Sequence, residues 1–207
     1  MKYLDVNTWN RRQHFNFFNT FADPYFAVSS FLDVTHAFAF SKKESVSFFA
    51  VYLHACLKAM NTIENFKYRI QDNSVIIHDI IHASATILRP DKTFGFSFIA
   101  FDESIVIFEE NMKKEKERIY NSNELFPPTN SDDCIYCSAL PWIAFNNHKE
   151  PVSSHKESVP KVAFGKALKN NNRLEMNVSV SVNHALVDGF HVGLFFEKFQ
   201  QSLNEYK

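Results

Sequence analysis

The clearest pattern in the chain lies between residues 173 and 190, RLEMNVSVSVNHALVDGF. Leu174, Met176, Val178, Val180 and Val182 alternate with Glu175, Asn177, Ser179, Ser181 and Asn183. A period of two predicts a half-buried strand, with one face in the core and one in water. His184 continues the apolar phase where the strand stops. Asp188 and Gly189 follow, and from there a 3.6-residue repeat predicts a last helix with Phe190, Leu194, Phe195 and Phe199 inward. An imidazole at a strand end and a carboxylate at a helix start thus flank a tight connection.

The same reading extends along the chain. Residues 8–20 (TWNRRQHFNFFNT) predict a short helix carrying Trp9, Phe15, Phe17 and Phe18, and residues 25–35 a strand. Residues 45–64 predict a helix with Ser45 as N-cap and Phe48, Phe49, Tyr52, Leu53, Cys56, Leu57 and Met60 on one face. Strands are expected around 67–71, 74–79, 82–88 and 93–101, then a helix from 105 to 121 whose charged second half is a solvated face. Pro127, Pro128, Asn130 and Ser131 mark a loop over 122–133. A strand at 134–145, a polar loop at 146–159 and strands at 160–168 and 173–184 complete the series, the last two joined by an Asn-rich turn at 170–172. Several strands grouped between few helices define an α+β protein with a large, mostly antiparallel sheet. The 207 residues fit one large domain or two small ones, and no internal repeat or long linker divides them.

Composition narrows the partners. Hydrophobic residues make up 45% and charged residues 22%, enough apolar material for a sizeable core. A net charge of -1 argues against nucleic acid or an anionic membrane, both of which need a basic surface. No run has the length of a membrane span, and the N-terminus has no apolar leader, so a cytoplasmic location is the default. Phe is abundant (23 residues), which codon usage in an AT-rich genome explains and a Phe-lined pocket also explains. Cys56 stands alone, and Cys134 and Cys137 form one CxxC without a second ligand pair, so all three read as buried structural thiols. His78 and His82 have metal-ligand spacing but no third ligand, and His191 reads as structural. The four glycines form no phosphate-binding loop.

His184 is the residue best suited to chemistry. A neutral imidazole takes a proton from a hydroxyl at physiological pH, and apolar surroundings disfavour its charged form. By pattern alone, though, a histidine ending an apolar strand is more commonly a satisfied core residue. Asp188 caps the helix or pairs with a cation that fixes the turn.

The segment NHALVDGFHVGLFFEKFQ resembles the His-x-x-x-Asp-Gly signature of the chloramphenicol acetyltransferase family. The short motif is shared with the catalytic domains of dihydrolipoyl acyltransferases, but this chain has no lipoyl module or Ala/Pro-rich linker. TWNRRQHFNFF, FLDVT and CSALPWIAF resemble further blocks of the family, in order along nearly the whole chain. The resemblance implies a single domain over 1–207 with the CoA-dependent acyltransferase fold, a mixed sheet flanked by helices. It implies O-acetylation of chloramphenicol, an antibiotic inactivation, with acetyl-CoA as co-substrate and no metal. His184 would deprotonate the acceptor hydroxyl for direct attack, its other ring nitrogen held by its own main-chain carbonyl. Ser138 would hydrogen-bond the oxyanion, and Asp188 would form a supporting ion pair with Arg11. Phe18, Pro24, Phe26 and Phe94 would bind the acceptor. The assembly implied is a homotrimer with active sites between subunits, His184 coming from one chain and most of the acceptor pocket from the next. Without the resemblance, Ser138 is an ordinary strand serine, Arg11 and Arg12 are surface residues, and the phenylalanines are plain core.

The sequence also departs from the family. Asn183 stands where a second histidine is usual, Phe18 replaces a tyrosine, Ala163 a threonine linked to a bound water, and Val187 a cysteine. These changes fall on polar details of the pocket. Another alcohol as acceptor, or a non-catalytic homologue, therefore remains an alternative.

Overall fold

In the computed structural model every residue is described except 1, 73, 130 and 154–156, so Asn130 and part of the loop expected at 146–159 lie outside the described residues. The chain runs β1 (Lys2–Leu4), α1 (Arg12–Phe18), β2 (Tyr25–Asp33), α2 (Thr35–Lys43) and α3 (Phe48–Asn61). After a 3-10 turn come β3 (Tyr68–Gln71), β4 (Ser74–Ile77), β5 (His82–Leu88), β6 (Phe94–Phe96) and α4 (Ile105–Tyr120). The chain then forms β7 (Cys134–Ala139), β8 (Lys161–Asn170), β9 (Arg173–Asn183) and α5 (Gly189–Glu205). The larger sheet has the order β2-β9-β8-β7-β5-β6, and a smaller one the order β1-β4-β3. The β7 pairings with β5 and β8 are parallel and the others antiparallel, so the larger sheet is mixed and the smaller one wholly antiparallel.

Helix α3 is buried on every side from Ala50 to Leu57, not on one stripe as the pattern suggested. Its apolar residues run all round the axis, and such a helix belongs in the middle of a protein. Tyr52 reaches Phe164 of β8 at 4.8 Å between ring centroids, and Phe164 in turn meets Phe199 of α5. The helix starts two residues later than expected. Ser47 caps it by accepting from the Ala50 N–H, while Ser45 takes a left-handed conformation with φ of 57°. In its centre, Nε2 of His54 bonds the Asp102 carbonyl and Nδ1 bonds the Tyr206 hydroxyl. A carbonyl only accepts, so Nε2 carries the proton and Nδ1 accepts from the phenol.

Three further expectations change in the structure. The supposedly wet face of β9 is dry, since Asn177, Ser179, Ser181 and Asn183 are all buried. The segment between β7 and β8 covers it, and the carbonyls of Phe145 and Glu157 accept from the Asn177 and Asn183 side-chain amides. Phe190, expected inward, is exposed, because the apolar stripe of α5 begins at Val192. Strand β7 ends at Ala139 instead of running to 145. Pro141 lacks the N–H a ladder needs, and the chain turns there, with Ile143 N–H donating to the Leu140 carbonyl.

All three cysteines are free and buried. His78 lies 3.0 Å from Asp132, and His82 Nδ1 accepts from the Phe101 N–H. Among the described residues no cluster of three or more His, Cys, Asp or Glu is placed to hold a metal, and no helix is long and apolar enough to cross a membrane.

Candidate active site

Strands β2 and β9 pair along their whole length, so the end of β9 lies beside the start of β2. The His184 N–H donates to the Pro24 carbonyl at 2.9 Å, which continues this ladder one step past the strand. The imidazole stacks on Phe18, at the end of α1, with ring centroids 4.0 Å apart and planes within 5°. Phe26 of β2 meets it at 4.5 Å. Despite this aromatic slot the side chain keeps 34% exposure, so it is not sealed in the core.

The two ring nitrogens differ. Nδ1 is buried and has no hydrogen bond, with Asp188 Oδ1 3.3 Å away. Nε2 takes no hydrogen bond from the described residues. The resemblance implied that the carbonyl of His184 binds its own ring; instead Nδ1 is unbonded and that carbonyl accepts from Arg11 Nη2 at 3.1 Å. The other guanidinium nitrogen, Nη1, binds Asp188 Oδ2. One buried arginine therefore holds both the main chain at His184 and the carboxylate facing its ring. Nδ1 of His191 accepts from the Asp188 N–H, and burial together with the Arg11 charge holds the His191 pKa below the usual histidine value. Asn183 shapes the turn itself: its Oδ1 accepts from the Ala185 N–H, and its main-chain carbonyl accepts from Leu186 and Val187.

Ser138 and Phe94 are elsewhere. Both line a cavity of about 680 Å³ with Phe96, Phe126, Tyr136 and Trp142. Ala163 sits directly opposite Ser138 on β8 and is buried. Ala163 pairs in turn with Ser179, five residues before His184. At about 3.3 Å per residue and 4.8 Å per strand, Ser138 and His184 of one chain are roughly 19 Å apart. The structure thus groups Arg11, Phe18, Pro24, Phe26 and Asp188 around His184, and Phe94 around Ser138, as two separate clusters.

One feature of the cavity had no signal in the sequence. Lys161 and Glu157 line it as a buried ion pair, 2.6 Å apart. Lys161 reads as the polar start of an apolar strand and Glu157 as part of a polar loop, so nothing in their pattern joins them.

Solved structures place this arrangement in a class. The chain superposes on a probable dihydrolipoamide acetyltransferase from Listeria monocytogenes with a TM-score of 0.70 over 95% of its length and 90% of that chain, at 15% identity. It superposes on a chloramphenicol acetyltransferase with a TM-score of 0.87, covering 98% of this chain and 99% of the other, at 25% identity. The fold is that of the CoA-dependent acyltransferases. Chloramphenicol acetyltransferase 3 from Escherichia coli is 27% identical over 204 residues, covering 97% of this chain and 96% of the relative. A chloramphenicol acetyltransferase from Bacillus pumilus is 28% identical over 199 residues, covering 95% and 90%. The family model for chloramphenicol acetyltransferase matches residues 1–200, and the chain belongs to that family of acyltransferase enzymes.

Proposed function

We propose that the protein transfers the acetyl group of acetyl-CoA to a hydroxyl of chloramphenicol, inactivating the antibiotic, and that it works as a cytoplasmic homotrimer with active sites between subunits. The observation that carries this reading is the His184 imidazole, open on one side, with Nε2 unbonded by the described residues and Nδ1 facing a fixed carboxylate. A base of this kind needs an oxyanion donor, and Ser138 is too distant in the same chain to serve. A second copy must supply it. Strand β2 supports such an assembly: it is nine residues long, forms the edge of its sheet and exposes Val28 and Phe31, a template for pairing with another chain. The three free thiols suit a reducing compartment.

In the reaction, Nε2 of His184 takes the proton of the acceptor hydroxyl while its oxygen attacks the thioester carbonyl carbon. The oxyanion of the tetrahedral intermediate receives a hydrogen bond from the partner subunit's Ser138. Collapse breaks the carbon–sulfur bond, and the departing thiolate takes the proton back from Nε2. Asp188 Oδ1 favours the tautomer with the proton on Nδ1 and stabilises the imidazolium between the two transfers. The aromatic lining at Phe94, Phe96, Phe126 and Trp142 suits a nitrophenyl ring.

Thiol release from acetyl-CoA, measured with chloramphenicol and a panel of other alcohols, tests the proposal. His184→Ala is expected to lower turnover by about three orders of magnitude or more, in the upper part of the 10²–10⁴-fold range typical of general bases. A rate within tenfold of the parent refutes the base role. The methyl of Ala163 beside Ser138 favours one second reading, an alcohol other than chloramphenicol. Turnover of another alcohol with none of chloramphenicol would select it.

A further inference from the structure

The cavity that holds Ser138 and Phe94 has a charged corner that the reaction above leaves unused. Lys161 opens β8 with its side chain only 4% exposed. Its ammonium lies 2.6 Å from Glu157 Oε1, donates to the Pro151 carbonyl and sits over the Tyr25 ring, 5.0 Å from the centroid. The Glu157 side chain is 9% exposed, and its Oε2 accepts from the Ser153 N–H at 2.6 Å and the Ser153 hydroxyl at 2.8 Å. Lys161 belongs to the sheet. Pro151, Ser153 and Glu157 all belong to the segment that crosses from β7 to β8.

The described residues of that segment form no helix or strand, yet Pro151, Val152 and Ser153 form part of the cavity lining. Among the described residues, the only hydrogen bonds made by these three go to Lys161 and Glu157. Burying two charges is a poor way to gain stability, since desolvation offsets most of their attraction. What the pair does provide is position. A planar carboxylate bridging a sheet lysine and a loop serine, with the same lysine bound to a loop carbonyl, leaves residues 151–153 one arrangement.

We propose that the Lys161–Glu157 pair is a clasp that fixes Pro151–Ser153 as one wall of the cavity and so sets its affinity for the acceptor alcohol. The inference rests on the cavity being the acceptor site. Because the two charges satisfy each other and the main chain, they offer the acceptor no ionic partner. Glu150, the other charged group on the lining, repels an acidic one. The clasp therefore selects an uncharged alcohol by shape, and Lys161 and Glu157 are positioning residues.

The test uses the whole protein with Lys161→Met, which keeps side-chain length, and Glu157→Gln, which keeps an acceptor oxygen. Two quantities are read: the KM values for chloramphenicol and acetyl-CoA, and deuterium exchange of the peptide spanning 145–153. Lys161→Met is expected to raise the acceptor KM at least tenfold while the acetyl-CoA KM moves less than threefold, and to speed exchange at least tenfold. Glu157→Gln should shift both in the same direction by less, and it carries the test if Lys161→Met fails to fold. Exchange and acceptor KM within twofold of the parent in a folded variant overturn the clasp, and so does an equal rise in both KM values. A parent that releases no thiol with any alcohol sinks the proposed function instead, and the exchange measurement still decides the clasp.

Discussion

Arg11 binds two partners that the rest of the site depends on, and removing it gives a prediction with a definite size. Arg11→Met keeps the apolar stem of the side chain but loses the guanidinium, and with it the contact over Trp9 and the bonds to Asp188 and the His184 carbonyl. Breaking a buried ion pair costs about 3–5 kcal/mol, because the surviving charge is stranded. Asp188 keeps 31% exposure and so recovers some hydration, which places the loss near the lower end, about 3 kcal/mol. Asp188→Asn strands the arginine, whose side chain is only 10% exposed, and should cost a similar amount. The double variant strands neither charge. Its loss should fall about 2 kcal/mol short of the sum, a coupling typical of groups in direct contact. Urea melts at one fixed protein concentration measure all three variants, since the proposed oligomerisation would tie apparent stability to concentration. Losses that add to within 0.5 kcal/mol would refute the claim that Arg11 and Asp188 act as a unit.

Ser138→Ala should lower turnover by about 10²–10³ with little change in acceptor binding, the usual effect of losing one oxyanion donor, and steady-state thiol release reads it; a loss below threefold removes Ser138 from the chemistry. Stability should also depend on pH in a stated direction. Burial lowers the pKa of His54, His82 and His191 below the unfolded value of about 6.5, so the unfolded chain binds more protons just below that pH. Stability is fully present above about pH 6.5 and is lost as pH falls toward 5, by at most about 1.4 kcal/mol per pH unit for each histidine. Melts between pH 7.5 and 5 check this, His54→Gln should flatten the slope, and a flat parent curve would contradict the burial of these rings.

Much of the architecture was legible because it is written in periodicity. Strand β9 and the start of α5 lie within a residue of where periodicity put them, although the stripe of α5 begins at Val192 and not at Phe190. Periodicity failed where burial came from a third layer. Asn177, Ser179, Ser181 and Asn183 look like a solvent face because they are polar, and only the loop folded over them makes them dry. Helix α2 carried no signal: its buried positions are Ala37 and Ser41, too small and too polar to mark a stripe. Strand β1 has three residues and exists only by pairing with β4. Within the site, His184 and Asp188 stood out by position alone. The role of Asn183 in closing the turn did not, since a side-chain cap has no period. Nor did the grouping of Phe18 and Phe26 with His184, or the distance from His184 to Ser138, which follow from sheet order and no local pattern.

The roughly 19 Å of sheet between the main-chain positions of His184 and Ser138 bears on how defects combine. In the proposed homotrimer, subunits crippled at His184 and subunits crippled at Ser138 each retain the half the other lacks. Refolded together in equal amounts, they would form sound junctions wherever an intact imidazole happens to neighbour an intact hydroxyl, about one junction in four for random ring assembly. Two dead preparations would then yield a live mixture, a behaviour that no enzyme with both groups in one chain can imitate.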